Sequence, residues 1–164
     1  MTLQPGNKLP DATFLKMGAD GPEAVASNDV FNGKRVALFG LPGAFTGTCS
    51  TLHVPSFMRV ASALRDKGVD EIVCVSVNDP YVMKAWGEAS GASAAGLTFL
   101  ADADGAFTKA AGLDFSAPPK GLLDRCKRFS ALVEDGTLKI MNLEPAGSAC
   151  NMTAGETLLE QIDA

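Results

Sequence analysis

The sequence has no run of about 18 or more apolar residues, so it contains no segment that could cross a membrane as a helix. Its first residues lack the basic segment and apolar stretch of a secretory signal, and we therefore expect a cytoplasmic location. It also lacks a cluster of Lys and Arg, and its formal net charge is −5. Because a net negative surface repels phosphate groups, we expect neither nucleic acid nor a membrane as a partner.

Cysteine is scarce and never occurs as a Cys-x-x-Cys pair. The four cysteines are Cys49, Cys74, Cys126 and Cys150, whose spacing suits neither a zinc ribbon nor a dithiol redox motif. Without an export signal, a framework of disulfides is not expected either. The pattern therefore predicts reduced thiols, one or two of them reactive, and neither a metal nor an organic cofactor.

What the sequence does have is the composition of an ordinary globular domain. Apolar residues make up 46% and charged residues 20% of its 164 positions, which excludes the disordered and fibrous classes. No internal repeat, low-complexity tract or linker divides the chain. We therefore predict one domain over residues 1–164.

Short apolar runs alternate with helical patterns along most of the chain. Residues 35–39 and 71–77 are typical of buried parallel strands, and residues 50–67 between them have the period of an amphipathic helix, which Pro55 is expected to kink. The Asp135-Gly136 pair predicts a hairpin turn. The other predicted elements are N-terminal hairpin strands such as 12–15, helices over 81–90, 104–111 and 153–162, and strands over 97–101, 129–134 and 137–143.

This order of elements predicts an α/β protein with a thioredoxin-like fold. Its central sheet is expected to be mixed and flanked by helices, with an N-terminal hairpin extension. Two-layer and three-layer packing are both compatible with the pattern.

The stretch with the clearest chemistry is the loop that follows the first buried strand. It contains Gly40, Pro42 and Gly43, and it brings Cys49 to the first turn of the predicted helix. Free backbone N–H groups at a helix start favour an anion, so a cysteine at this place tends toward the thiolate. The same position also suits a small buried cysteine with a structural role only.

Pro42-x-x-x-Thr46-x-x-Cys49 resembles the active-site pattern of the peroxiredoxin family, in which the cysteine attacks a hydroperoxide. Further segments match in the same order, and together they are similar to the peroxiredoxin-5 (type II) subfamily over nearly the whole chain. One departure is Gly47, where the family usually has proline, so this loop has more backbone freedom. The matching segments are residues 39–46, 49–55, 76–79, 84–87 and 127–130.

The resemblance implies a thiol-dependent peroxidase that reduces hydrogen peroxide and organic hydroperoxides through a cysteine sulfenic acid, in antioxidant defence. The implied reductant is glutathione with glutaredoxin, or thioredoxin, and the implied assembly is a homodimer. The apolar loop 41–45, expected to be exposed, is a candidate contact between the two copies.

The resemblance also implies roles for individual residues. Cys49 is the nucleophile, Thr46 contacts the peroxide, and Pro42 shields the thiolate from water. Of the five arginines it selects Arg128 as the donor that stabilises the developing charge, whereas sequence reasoning alone would leave Arg128 as a surface charge.

His53 lies four residues after Cys49 and raises the alternative of a cysteine hydrolase. On an ordinary helix its ring would point away from the opening that the thiolate faces, so we do not expect a Cys–His dyad. A second alternative is a thioredoxin-like binding module whose cysteines are incidental. Loss of peroxide in the presence of a thiol distinguishes a peroxidase from both.

The resolution of the sulfenic acid has two candidate routes. Cys150 lies in a loop where animal members of the subfamily place a resolving cysteine, and direct reduction by glutathione or a glutaredoxin-type partner is the alternative. Cys74 is less suited, because its apolar neighbours predict burial. Cys126 lies between Arg125 and Lys127, which is expected to lower its pKa.

Overall fold

The structure is a computed structural model and describes residues 2–145 and 150–162. Five α-helices and nine β-strands lie in this part of the chain, together with one π-helical segment and one 3₁₀ turn. In chain order they are β1 (Thr13–Gly18), β2 (Gly21–Ala26), α1 (Ser27–Phe31), β3 (Arg35–Gly40), the π-helical segment (Cys49–His53), α2 (Val54–Asp66), β4 (Glu71–Ser76), α3 (Pro80–Ala89), β5 (Thr98–Ala101), α4 (Ala106–Ala110), β6 (Asp114–Ala117), the 3₁₀ turn (Pro118–Lys120), β7 (Leu122–Cys126), β8 (Phe129–Glu134), β9 (Thr137–Leu143) and α5 (Gly155–Gln161).

Seven strands form the central sheet in the order β2-β1-β5-β4-β3-β8-β9. The pairs β3–β4 and β4–β5 are parallel, and the other pairs are antiparallel. The predicted mixed sheet with an N-terminal hairpin is therefore confirmed. Strands β6 and β7 form a separate antiparallel pair that the sequence pattern did not indicate.

Helices cover both faces of the sheet, which makes three layers. Because side chains alternate along a strand, Ala37 and Phe39 of β3 face one apolar core with α2, α3 and α5. Val36 and Leu38 face the other core, which includes residues of α1 and α4. The sequence pattern was compatible with two or three layers, and the structure has three.

The pairing of β3 with β8 determines where the ends of these strands meet. Gly40, the last residue of β3, pairs with Phe129, the first residue of β8. A Cβ atom at Gly40 would overlap the Phe129 ring, so the close approach requires glycine. The loop after β3 and the residues just before β8 therefore lie side by side.

The predicted helix over residues 50–67 has two parts, and Pro55 explains the change. Val54 donates its backbone N–H to the carbonyl of Cys49, five residues earlier, which is the π-helical pattern. Pro55 has no N–H to donate and is the second residue of α2. The proline therefore follows a widened turn at the start of the helix and does not kink its interior.

The hairpin turn between β8 and β9 agrees with its prediction. Asp135 and Gly136 have φ values of 49° and 77°, as a type I′ turn requires. In the described ranges 2–145 and 150–162, no helix has both the length and the apolar character to cross a bilayer.

Candidate active site

Cys49 lies where the loop after β3 enters the helix. It is the first residue of the π-helical segment, and only 1% of its surface is exposed. The thiol is therefore almost fully covered by its neighbours.

The loop between β3 and the helix is held by hydrogen bonds at three places. Thr46 donates from Oγ1 to the Gly43 carbonyl over 2.7 Å, so the lone pairs of its hydroxyl stay available. The backbone N–H of Ala44 donates to Asn78 Oδ1 over 3.0 Å. Arg125 donates from Nη1 to the Pro42 carbonyl over 3.0 Å. Arg125 of β7 therefore holds the loop on one side. Asn78, which follows β4, holds it on the other.

Arg128 precedes β8 and is 93% buried, since 7% of its surface is exposed. It donates from Nη2 to the Cys49 sulfur over 3.3 Å and from Nη1 to Nδ1 of His53 over 3.0 Å. Its Nε is buried and has no hydrogen-bond partner among the described residues. The guanidinium therefore donates to the thiol through Nη2, while its Nε–H has no acceptor among the described residues.

His53 contacts the site through Arg128. Its ring donates from Nε2 to the Thr153 carbonyl over 3.0 Å, which leaves Nδ1 to accept from Arg128. Burial, and then the charge of Arg128, lowers the pKa of His53 from 6.5 to about 3. The imidazole is therefore neutral at physiological pH.

His53 is fully buried and does not line the cavity, but its ring lies close to the site because it contacts Arg128. The π-helical turn widens the spacing between Cys49 and His53, and both side chains meet Arg128. The described residues contain no hydrogen bond between Cys49 and His53, and a pKa near 3 makes the ring a poor general base at neutral pH. The arrangement therefore gives no support to a cysteine hydrolase. The lack of an N–H at Pro55 was the signal that could have indicated this turn.

A cavity of about 670 Å³ opens beside the thiol. Pro42, Thr46 and Arg128 line it, and Arg128 joins the cavity to Cys49 through its hydrogen bond to the sulfur. The four residues singled out in the sequence are thus brought together from one loop, one helix start and the residue before β8.

Comparisons with known proteins agree with this geometry. Residues 4–155 match the Redoxin family. The chain is 46% identical to the mitochondrial Peroxiredoxin-2F of Arabidopsis thaliana over 135 residues, which are 82% of this chain and 67% of the relative. It is 43% identical to the chloroplastic Peroxiredoxin-2E-2 of Oryza sativa subsp. japonica over 161 residues, which are 96% of this chain and 72% of the relative.

The chain belongs to the peroxiredoxin family.

A solved structure of reduced Prx3 from Vibrio vulnificus in complex with H2O2 superimposes on this peroxiredoxin with a TM-score of 0.93 at 38% identity, covering 99% of this chain and all of the other. The predicted thioredoxin-like fold is therefore confirmed. Peroxiredoxins are thiol-dependent peroxidases with an antioxidant role, so this chain is an oxidoreductase of that class that uses a peroxide and a thiol reductant.

The expected cytoplasmic location is wrong by the same comparisons. Similar relatives are named mitochondrial or chloroplastic, which contradicts it. The prediction used the missing signal pattern at the first residues, and that pattern does not decide the compartment, because transit peptides are removed from mature proteins.

The other three thiols of this peroxiredoxin differ in how far they are buried. Cys74 is fully buried in β4, and burial raises its pKa well above the usual value, as its apolar neighbours predicted. Cys126 is also fully buried, and burial raises its pKa to about 12, so the expected lowering by Arg125 and Lys127 is wrong. Desolvation outweighs the flanking charges because the sulfur points into the core.

Cys150 is half-buried, and its sulfur lies 3.7 Å from Oγ1 of Thr153. Burial raises its pKa as well. Residues 146–149 of its loop lie outside the described residues. On the other side of Cys150, Glu144 accepts hydrogen bonds from the backbone N–H groups of Asn151 and Thr153.

The apolar loop 41–45 is less exposed than its composition indicated. Leu41 is fully buried in the core below the sheet end, and Phe45 is 58% exposed. The Phe45 ring lies 6.4 Å from that of Trp86. Phe45 is thus the large apolar group that this loop presents to solvent.

Proposed function

We propose that this peroxiredoxin reduces hydrogen peroxide and organic hydroperoxides with Cys49 as the nucleophile. The observation that carries the proposal is the 3.3 Å hydrogen bond to the Cys49 sulfur from Nη2 of Arg128, a residue that lines the cavity. The thiolate is the nucleophilic form of cysteine, and a guanidinium N–H at that distance can donate a charge-assisted hydrogen bond to it.

The chemical step is a displacement at oxygen. The Cys49 thiolate attacks the terminal oxygen of the hydroperoxide, an S–O bond forms and the O–O bond breaks. The sulfur is oxidised to the sulfenic acid, and the leaving oxygen takes a proton and departs as water or an alcohol. Charge moves from sulfur to the leaving oxygen, so a positioned donor there lowers the barrier.

Arg128 is the proposed donor for that developing charge. The planar fork of a guanidinium can donate to sulfur and to oxygen together. Its buried Nε lacks a partner among the described residues, so a donor is available for a substrate oxygen. His53 positions the guanidinium by accepting from Nη1.

Thr46 and Pro42 are proposed to complete the site. The Thr46 hydroxyl donates to the Gly43 carbonyl, so its oxygen can accept a hydrogen bond from the O–H group of the peroxide. Pro42 lines the cavity beside it and limits the access of water to the thiolate.

For recycling, we favour direct reduction of the sulfenic acid by glutathione with a glutaredoxin, or by thioredoxin. Cys150 is the other candidate resolver, and Cys74 is a weaker one. The raised pKa of Cys150 reduces its thiolate fraction, and the hydrogen bonds of Glu144 hold the adjoining residues 151 and 153 in place. Both features make Cys150 a slow internal nucleophile.

We also propose that the chain forms one domain and assembles as a homodimer. The exposed rings of Phe45 and Tyr81, which are 58% and 63% exposed, are candidate contacts between copies. Sedimentation at tens of micromolar is expected to give a dimer, and a strict monomer in both redox states would contradict this.

The function is tested by the consumption of hydrogen peroxide with a thiol reductant in excess. We expect catalytic turnover by the wild-type chain and its loss in Cys49→Ser, with the thermal unfolding curve preserved. Cys126→Ser is the matched thiol-to-hydroxyl control, because Cys126 is fully buried and its sulfur donates to the Lys127 carbonyl, whereas the Cys49 sulfur accepts from Arg128. If the wild type fails to consume peroxide, or if Cys49→Ser retains turnover, the assignment is wrong.

A further inference from the structure

Glu144 is a buried acidic residue that follows β9, with 9% of its surface exposed. Its carboxylate accepts from the backbone N–H of Asn151 over 3.3 Å, from the backbone N–H of Thr153 over 3.1 Å and from the Thr153 hydroxyl over 2.9 Å. Burying a carboxylate costs free energy unless such donors satisfy it, and hydrogen bonds to a charged acceptor are strong ones. Glu144 therefore holds residues 151–153 in place.

Thr153 connects this carboxylate to the ring of His53, and both residues are fully buried. The N–H and hydroxyl groups of Thr153 donate to Glu144, and the carbonyl of Thr153 accepts from Nε2 of His53 over 3.0 Å. The position of that carbonyl therefore depends on the hydrogen bonds that the same residue makes to Glu144.

The main chain of Glu144 leads back to Arg128. Its backbone N–H donates to the Arg128 carbonyl over 3.0 Å, one position beyond the ladder between β8 and β9. The side chain of Arg128 donates from Nη1 to Nδ1 of His53 over 3.0 Å. These hydrogen bonds close a ring of four residues, in which Arg128 contacts His53, His53 contacts Thr153, Thr153 contacts Glu144, and Glu144 contacts Arg128.

The ring of contacts makes the orientation of the imidazole depend on the Thr153 carbonyl. A neutral imidazole has one donor and one acceptor, and here Nε2 donates to Thr153 while Nδ1 accepts from Arg128. A buried N–H without an acceptor is costly, so the ring follows the carbonyl if the carbonyl moves. A ring that turns takes Nδ1 away from Arg128.

We propose that Glu144 is a positioning residue for Arg128. The Glu144 carboxylate fixes the Thr153 carbonyl, this carbonyl orients the His53 ring, and the ring holds the guanidinium that donates to the Cys49 sulfur. The inference rests on the proposed function, because the role of Arg128 does.

A second contact of the same segment limits what the loss of Glu144 can do. Oγ of Ser56, a residue of α2, accepts from the backbone N–H of Gly155 over 2.9 Å, so the start of α5 stays attached to α2 when Glu144 is replaced. We therefore expect variants at Glu144 to fold, with a local effect on Thr153.

Nuclear magnetic resonance tests the contact between Thr153 and His53. Because His53 is the only histidine in the sequence, isotope labelling of histidine observes this ring alone. The Nε2 proton is expected to exchange slowly with water in the wild type. In Glu144→Ala it should exchange about tenfold faster or more, since a hydrogen bond to a charged group is worth roughly that factor.

Two further variants control this measurement. Glu144→Gln removes the charge and keeps an oxygen that can take the place of Oε2, which accepts both bonds from Thr153, so slow exchange is expected to remain. Asp102→Ala is the matched loss of a buried carboxylate, because Asp102 is fully buried and accepts from the backbone N–H groups of Phe107 and Thr108 in α4. It is expected to leave the exchange of the ring proton unchanged.

A double-mutant cycle tests whether Glu144 acts through Arg128. Glu144→Ala is expected to lower the single-turnover rate of hydrogen peroxide reduction about tenfold, because a small displacement of Arg128 misplaces its donors. In the Arg128→Ala background the same replacement should change the rate by less than about twofold. A merely structural role would lower the rate equally in both backgrounds.

The outcomes separate this inference from the proposed function. Slow exchange of the ring proton in Glu144→Ala, equally fast exchange in Asp102→Ala, or equal losses of rate in the two backgrounds overturns the proposal. If Glu144→Ala does not fold, Thr153→Val, which removes the hydroxyl and keeps the shape, is expected to speed the exchange, and an unchanged exchange rate there overturns the proposal. If the wild type consumes no peroxide while Glu144→Ala speeds the exchange, the proposed function fails and the orientation of His53 by Glu144 stands.

Discussion

Arg128 donates from Nη2 to the Cys49 sulfur over 3.3 Å, although 79 positions separate the two residues in the chain. The contact exists because Gly40 pairs with Phe129, so the loop that carries Cys49 and the residue before β8 share one end of the sheet. His53 holds the same guanidinium from the other side.

Replacing Arg128 by alanine is expected to raise the barrier for peroxide reduction by about 2–4 kcal/mol, which is a rate about 30- to 1,000-fold lower. Alkylation of Cys49 by iodoacetamide should slow in parallel, because the thiolate loses its cationic donor. Arg128→Lys keeps the charge without the fork and should lie between the two. Stopped-flow single-turnover rates measure the effect, and a rate in Arg128→Ala equal to that of the wild type contradicts the role.

His53 is expected to make the folded state less stable in acid. Its folded pKa of about 3 lies below the ordinary value of 6.5, so the unfolded state binds the proton first as the pH falls. The free energy of unfolding therefore falls by up to about 1.4 kcal/mol per pH unit between pH 6.5 and 3 from this residue, and its contribution is constant above that window.

His53→Gln isolates this contribution, since glutamine does not titrate and keeps an amide donor. Urea unfolding at several pH values between 4 and 7 should give a shallower dependence on pH for the variant, with other titrating groups cancelling in the difference. Parallel curves for the two proteins would show that His53 binds protons equally in the folded and unfolded states and would contradict the lowered pKa.

Arg125 is expected to act on the rate through the loop, because it holds the Pro42 carbonyl at 3.0 Å without contacting the sulfur. A small displacement of the loop misplaces Thr46 against the peroxide, and Arg125→Ala should lower kcat/KM by about 10- to 100-fold. Arg65→Ala is the matched control, since Arg65 also donates to backbone carbonyls, those of Ala95 and Gly96, near the far end of α2. An equal loss in both variants would mean a general effect on stability.

Cys150→Ser is expected to keep most of the turnover coupled to glutathione and glutaredoxin. The reason is the raised pKa of Cys150 and the anchoring of residues 151 and 153 by Glu144. Peptide mapping after one equivalent of peroxide should then find the thiol adduct on Cys49. A Cys49–Cys150 peptide in the wild type, together with loss of turnover in Cys150→Ser, would establish the internal route instead.

The central sheet could be predicted from the sequence because its strands carry strong local patterns. The bounds of β8 and β9 agree with the prediction, since alternation and the Asp135-Gly136 turn define them. The β6–β7 hairpin was not predicted. Its strands are short, two prolines interrupt them, and they lie outside the main sheet, so no long apolar pattern marks them.

In the site, too, some features could be predicted from the sequence and others could not. Cys49, Thr46 and Pro42 are neighbours in sequence and could be recognised together, whereas the contact of His53 with Arg128 depends on a π-helical turn that helical periodicity does not describe. For Cys126, the flanking charges of Arg125 and Lys127 were visible and the burial of its sulfur was not. The residue types in a local segment thus indicate which reactions are possible. The burial of each side chain, which the local segment does not show, determines whether that side chain can react.

The pairing of Gly40 with Phe129 also has a consequence for folding. Cys49 and Arg128 can meet only after the intervening chain has closed, and contacts between distant positions form late because closure costs entropy. A nascent chain in which β8 has not yet paired with β3 therefore carries Cys49 without the contact to the Arg128 guanidinium. We therefore expect peroxidase activity to appear only once β8 has docked on β3.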